Sequence, residues 1–412
     1  MRNPEEIVRH RMAGRVRRCR LGSLRGWSLG VMATGWMIGS TLAASSKTGA
    51  GEVDFESLIA SDILLTQTTA AYSGERAAWS WKGTLSGATL GIHYRPAEFE
   101  AELADELDRN ETRFSAGAQF RCRLNQRLNW VGSAGAYSGF SSYREVWIAE
   151  YYHQNFQGLP GYSEPDPRGA NASTGLRWEY LLSAGFVEID GSFSGDVIAP
   201  SYDDVIDPEQ GRIGAQAFRK NFNTLGGAVR FENVLGPRLR SQVELRFADR
   251  TLRNVRYGAV GWLNWAVAEG WVARGEVGYA SEELQSDVVV NPEPDPALAE
   301  KVPDRRLEAW WTRATIERQV AAEWYVSVGG RFYHDTGEID VSSPFASSAA
   351  PGLRSWQVGI GLRWVHEHHS ARIFGGPYQT DYRPVTFTTQ AFENLYRDRT
   401  FGFLQAAYSY EF

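Results

Sequence analysis

The stretch Phe401-Gly-Phe-Leu-Gln-Ala-Ala-Tyr-Ser-Tyr-Glu-Phe412 puts Leu404, Ala406, Tyr408, Tyr410 and Phe412 on one face and Gln405, Ser409 and Glu411 on the other. Side chains of an extended strand alternate between two faces, so this is a ribbon with one apolar and one polar side. The same period returns upstream in Phe114, Ala116, Ala118 and Phe120, and in Leu239, Val243, Leu245 and Phe247. It also marks Trp324, Val326, Val328 and Phe332, and Trp356, Val358, Ile360, Leu362 and Trp364. From Thr84 onward it predicts fourteen strands as the best count in a range of 12 to 16. They lie near 84–95, 112–124, 127–140, 173–182, 184–195, 219–233, 238–249, 254–266, 270–281, 306–318, 323–335, 354–366, 369–378 and 399–412.

The connections between these strands fall into two alternating classes. Asn125-Gln126, Val234-Leu235-Gly236-Pro237, Glu269-Gly270 and Glu367-His368 are short. Segments 96–111, 141–172, 196–218, 282–305, 337–353 and 379–398 are long and polar, and only 249–253 is short where a long one is due. Tight turns at one end and long loops at the other describe an all-β, closed antiparallel up-and-down transmembrane β-barrel. An even number of strands brings the first and last strand ends to the short-turn side.

Residues 1–44 read as a secretory signal peptide. Eight arginines from Arg2 to Arg25 precede the apolar run Trp27–Leu42, and Thr41, Ala43 and Ala44 suit cleavage near position 43 or 44. A single membrane anchor is the other reading of this run, which falls short of the roughly 20 residues a spanning helix needs. Residues 45–83 read as a periplasmic leader with room for one extra strand at Ile63–Tyr72, and 84–412 as the barrel. Removing residues 1–43 leaves 35 basic against 47 acidic residues, a net charge of −12, which speaks against nucleic acid as a partner. Cys122 is then the only cysteine, so no disulfide can form within the mature chain.

With Leu404, Tyr408, Tyr410 and Phe412 in place, the last strand resembles the C-terminal assembly signal of bacterial outer-membrane β-barrel proteins. There a terminal Phe or Trp follows aromatic or apolar residues at every second position. The resemblance implies a Gram-negative outer-membrane protein set in lipid. It also implies recognition by the barrel-assembly machinery, which pairs with the exposed strand edge during biogenesis. It covers about 84–412 in architecture and extends to no particular porin subfamily; no plug domain or energy-coupling box follows the signal, as a TonB-dependent receptor would require.

If the apolar set faces lipid, the alternate set faces inward. It includes Arg121, Arg123, Arg177, Glu179, Arg230, Arg240, Glu244, Arg246, Arg256, Arg274, Glu276, Arg313, Arg331 and Arg363. Charge is costly against lipid, so these residues predict a polar lumen. One reading is a porin-like channel for passive passage of small hydrophilic solutes, with this lining setting selectivity. Another is a ladder of salt bridges that braces a non-conducting barrel with a structural or adhesive role.

An outer-membrane hydrolase is the third reading. It would draw on His93 or His334 near the outer strand ends, but neither has a paired Ser or Asp at an informative spacing, and no enzyme is expected. His366-Glu-His-His369 falls at a tight turn where neighbouring side chains diverge, so neither a metal nor a cofactor is expected. Trp262, Trp265, Trp271, Trp310, Trp311, Trp324, Trp356 and Trp364 read as girdle residues near strand ends.

Overall fold

The computed structural model describes residues 49–60, 63–94, 107–140, 146, 149–150, 152–153, 156–181, 185–197, 202–217, 221–250, 254–284, 289–290, 300–301, 305–336, 352–382 and 398–412. The signal segment lies outside them. Its strands are β1 (Gly49–Ile59), β2 (Ile63–Arg76), β3 (Trp79–Tyr94), β4 (Leu107–Arg123), β5 (Leu128–Ser138), β6 (Arg168–Leu181) and β7 (Gly185–Val197). They continue with β8 (Tyr202–Asp207), β9 (Gly211–Ala217), β10 (Asn221–Gly236), β11 (Leu239–Arg250), β12 (Asn254–Ala268), β13 (Trp271–Leu284), β14 (Val289–Val290) and β15 (Glu300–Lys301). The last are β16 (Arg305–Gln319), β17 (Trp324–Asp335), β18 (Leu353–His366), β19 (His369–Tyr382) and β20 (Arg399–Glu411).

Sixteen of these form one closed antiparallel barrel, each strand pairing with the next and β20 returning to β1. The pairs β8–β9 and β14–β15 stand apart as hairpins within long loops. The expected count of fourteen is therefore corrected to sixteen, and residues 49–76, expected as leader with room for one extra strand, supply two. All fourteen segments marked by the alternation are strands. Closure matters because an open sheet in lipid would leave two edges of unpaired N–H and C=O groups. At the seam, Gly51 N donates to Phe412 O at 2.8 Å and Phe412 N donates to Gly51 O at 2.9 Å.

At the end where β1 starts and β20 finishes, the connections hold two to four residues. At the other end they hold 12 to 29, apart from three-residue links between β1 and β2 and between β11 and β12. The tightest turns need left-handed backbone, and Ala77 (φ 54°), Gly270 (φ 74°) and Glu367 (φ 47°) supply it.

The outward face is apolar and uncovered. Ile360 is 70% exposed and Leu225 68%, and Phe114, Ile189, Leu245 and Val328 stand with them. So large an apolar surface is untenable in water and suits a lipid environment. Aromatic rings gather near the short turns. Trp79, Phe120 and Trp130 form edge and tilted contacts of 4.9 to 6.1 Å, and His369 meets Tyr410 at 4.9 Å. Two tryptophans depart from the expected girdle. Trp262 shares the inward face of the buried Val260, and Trp311 turns inward to donate from Nε1 to Glu276 at 2.8 Å.

Candidate functional site in the barrel interior

The inward faces of β4, β6, β7, β10 and β11 carry a continuous chain of opposite charges. Arg121 pairs with Glu179, which Arg177 approaches at 3.7 Å; Arg177 also reaches Glu188 at 3.9 Å. Arg230 bonds Glu188 at 2.7 Å and Glu244 at 2.9 Å, and also contacts Asp190. Arg246 completes the chain on Glu244, whose side chain is only 2% exposed. Nearer the short turns, Arg240 meets Glu232 at 3.4 Å. Antiparallel register accounts for the ladder: Arg230 lies directly across from Glu188 on one side and from Glu244 on the other. A carboxylate buried this far is stable only with its partners in place.

The remaining expected lining residues fall elsewhere on the inner wall. Arg123 shares the face of Arg121. Arg256 pairs with Glu282 at 2.7 Å. Arg274 approaches Glu317 at 3.7 Å, while Arg363 grips the same carboxylate through two nitrogens and lies 4.1 Å from the Tyr325 ring. Glu276, Arg313 and Arg331 occupy one register row across β13, β16 and β17.

A second feature carries no simple alternation signal. Part of the β5–β6 connection folds into the barrel. Phe140, Val146 and Ala149 are buried against the inward-facing Leu65, Leu90 and Ile92 of β2 and β3, with Leu58 and Ile63 alongside. Val146 is 0% exposed. Arg109 of β4 clips this segment, bonding Glu111 at 2.6 Å, Glu150 at 3.1 Å and Glu164 at 3.2 Å. His153 contacts Glu164 and lies 3.3 Å from the Tyr162 hydroxyl. Burial, with Glu164 nearby, pushes the Tyr162 phenol above its ordinary value.

The β8–β9 hairpin packs onto the same segment. Phe156, Tyr202 and Ala215 form a small core, Tyr202 donates to Ser163 O at 2.6 Å, and Ala215 N donates to Pro160 O at 2.8 Å. Gly161 allows this approach, since its φ is +91° and a Cβ there would meet Ala215 O at 2.1 Å. Asp207 accepts the amides of Glu209 and Gln210 and so shapes the hairpin turn.

The histidines serve contacts at strand ends. His366 bonds Glu323 at 2.6 Å, and Trp364 donates to the other oxygen of Glu323 at 3.0 Å. His369 pairs instead with the Tyr408 hydroxyl at 2.7 Å, so the two ring systems have different partners. His334 stands edge-on to Trp310, and His93 pairs in backbone register with Asp108. Among the described residues no cluster of His, Cys, Asp and Glu could hold a metal ion.

No family model matches this chain, and no curated protein does. Solved structures with similar folds include CdiB from Acinetobacter baumannii, at 8% identity and TM-score 0.49, over 89% of this chain and 60% of that one. This chain thus spans less than two thirds of that relative's length. A bacterial polysaccharide outer membrane secretin aligns at 8% identity and TM-score 0.44, over 89% of this chain and 99% of that one. The Pseudomonas putida toluene transporter TodX aligns at 12% identity and TM-score 0.40, over 93% and 94%. Closed antiparallel pairing, an uncovered apolar exterior and a charged interior give this chain the architecture of an outer-membrane β-barrel protein.

Proposed function

We propose that the chain forms a porin-like channel in the outer membrane through which small hydrophilic solutes pass passively. The observation that carries this reading is solvent contact inside the wall: the inward-facing Asn171 and Arg313 are exposed, and the Arg274 side chain is 50% exposed. Water that reaches these groups keeps charge affordable within a shell whose outer face suits lipid. In this reading the signal segment is cleaved, the short turns and both strand ends face the periplasm, and the long loops face outward. The barrel-assembly machinery is the partner during biogenesis, and the protein is not an enzyme.

Reconstitution into planar bilayers tests the proposal. Folded protein is expected to conduct potassium chloride, and Arg274→Glu to shift ion selectivity toward cations. Absence of conductance from correctly folded protein would overturn it. That outcome would favour the second reading, a barrel braced and closed from within by the charge ladder and the infolded segment.

A further inference from the structure

The interior wall is lopsided in charge. From β4 to β11 arginines alternate with carboxylates; further round, beside the Arg256–Glu282 and Arg274–Glu317 contacts, arginine twice stands opposite arginine. Arg313 of β16 stands directly opposite Arg331 of β17, and Arg363 of β18 directly opposite Arg372 of β19. Like charges in directly opposed positions destabilise a sheet. Arg363 has Glu317 to offset this; the row of Arg313 and Arg331 holds one carboxylate, Glu276, directly opposite Arg313 on β13 with one oxygen accepting from Trp311 Nε1, so two cations face a single anion there.

Between the two arginine rows the wall is nearly bare. Six residues of strand, about 20 Å, separate Arg331 from Tyr325 on β17, and Gly329, Gly359 and Gly361 face inward along this interval. The Phe374 ring lies across that floor, because a Cβ on Gly359 or Gly361 would stand 2.8 or 2.9 Å from it. Phe403 flanks Phe374 at 5.8 Å between ring centres. The glycine floor thus begins beside the Arg313–Arg331 row, and Phe374 supplies its aromatic part.

We propose that this recess binds aromatic carboxylates, with the carboxylate between Arg313 and Arg331 and the ring over the glycine floor beside Phe374. An anion at that point relieves the like-charge opposition through charge-assisted hydrogen bonds, and the planar body gains the stacking surface. The inference deepens the channel reading and rests on it for its consequence, that such anions cross faster than neutral or aliphatic solutes of similar size.

Equilibrium dialysis of the full folded protein in detergent against labelled benzoate tests the site, with acetate and benzyl alcohol as probes lacking the ring or the charge. Saturable benzoate binding is expected, with acetate and benzyl alcohol weaker by about tenfold or more. Arg313→Gln combined with Arg331→Gln should weaken benzoate by at least about tenfold, while Arg318→Gln on the outer face leaves it unchanged. Phe374→Leu should weaken benzoate but not acetate. Equal benzoate binding by the wild type and the double arginine variant would overturn the proposal. If that variant does not fold, unchanged benzoate binding by Phe374→Leu overturns it instead. The same preparations go into bilayers: binding without conductance keeps the recess and removes the channel, whereas conductance without benzoate binding does the reverse.

Discussion

Gly51 and Phe412 join the two ends of the barrel twice over, through reciprocal backbone hydrogen bonds and through a ring that occupies the space of the missing side chain. A Cβ on Gly51 would stand 2.1 Å from the Phe412 ring. Gly51→Leu is expected to weaken the folded barrel, and Phe412→Ala in the same chain to recover part of the loss. Urea unfolding in lipid vesicles measures all four chains of this double-mutant cycle, and the coupling should be on the order of 0.5–3 kcal/mol. Strictly additive losses would show that ring and glycine do not interact.

Arg230 answers three carboxylates at once, and Glu244 is nearly inaccessible. Arg230→Met leaves these acids without their shared cation and should cost about 3–5 kcal/mol of barrel stability. Replacing Glu244 by Leu in the same chain should return a part of that. A loss below about 1 kcal/mol, as surface pairs show, would mean that water solvates the ladder freely.

The infolded segment depends on one arginine and one apolar patch. Arg109→Ala or Val146→Asp should release it without opening the barrel wall. Proteolysis between residues 140 and 165 should then speed up while the folded band on unheated gels persists. In bilayers the same variants should raise single-channel conductance; unchanged conductance would place the segment outside the path of ions.

The Tyr162 phenol supplies a pH test. Its pKa is raised in the folded state by burial and by Glu164, so the docked loop holds the proton more tightly than the free one. The docking it supports is complete below the unfolded value near 10 and declines as pH rises beyond it. Loop proteolysis should therefore increase above about pH 10 in the wild type. Tyr162→Phe should lose that dependence; a variant with the same alkaline rise would trace the effect to other groups.

What the sequence makes legible follows from contrast between alternate positions. Val358, Ile360 and Leu362 against Gly359, Gly361 and Arg363 mark β18 without help from any other strand. In β2 the outward Thr66, Thr68 and Ala70 differ little from the inward Gln67, Thr69 and Ala71, so the period fades and the strand passes for leader. The ladder is half readable: Arg230 and Glu244 lie across one tight turn, but Glu188 meets Arg230 only across a long loop whose register no local pattern sets. The infolding has a faint trace in Leu90 and Ile92, apolar residues on a face that is polar elsewhere in β3. What covers them comes from a segment some fifty residues on, and only the fold brings the two together.

The two three-residue links at the long-loop end, β1 to β2 and β11 to β12, lie eight strands apart in a ring of sixteen. They are diametrically opposed. So short a link can rise only a few ångströms above its strands, while each remaining arc bears three connections of 12 residues or more. Chain length alone therefore bars these two opposite points of the wall from covering the mouth, and any cover must come from the two arcs between them.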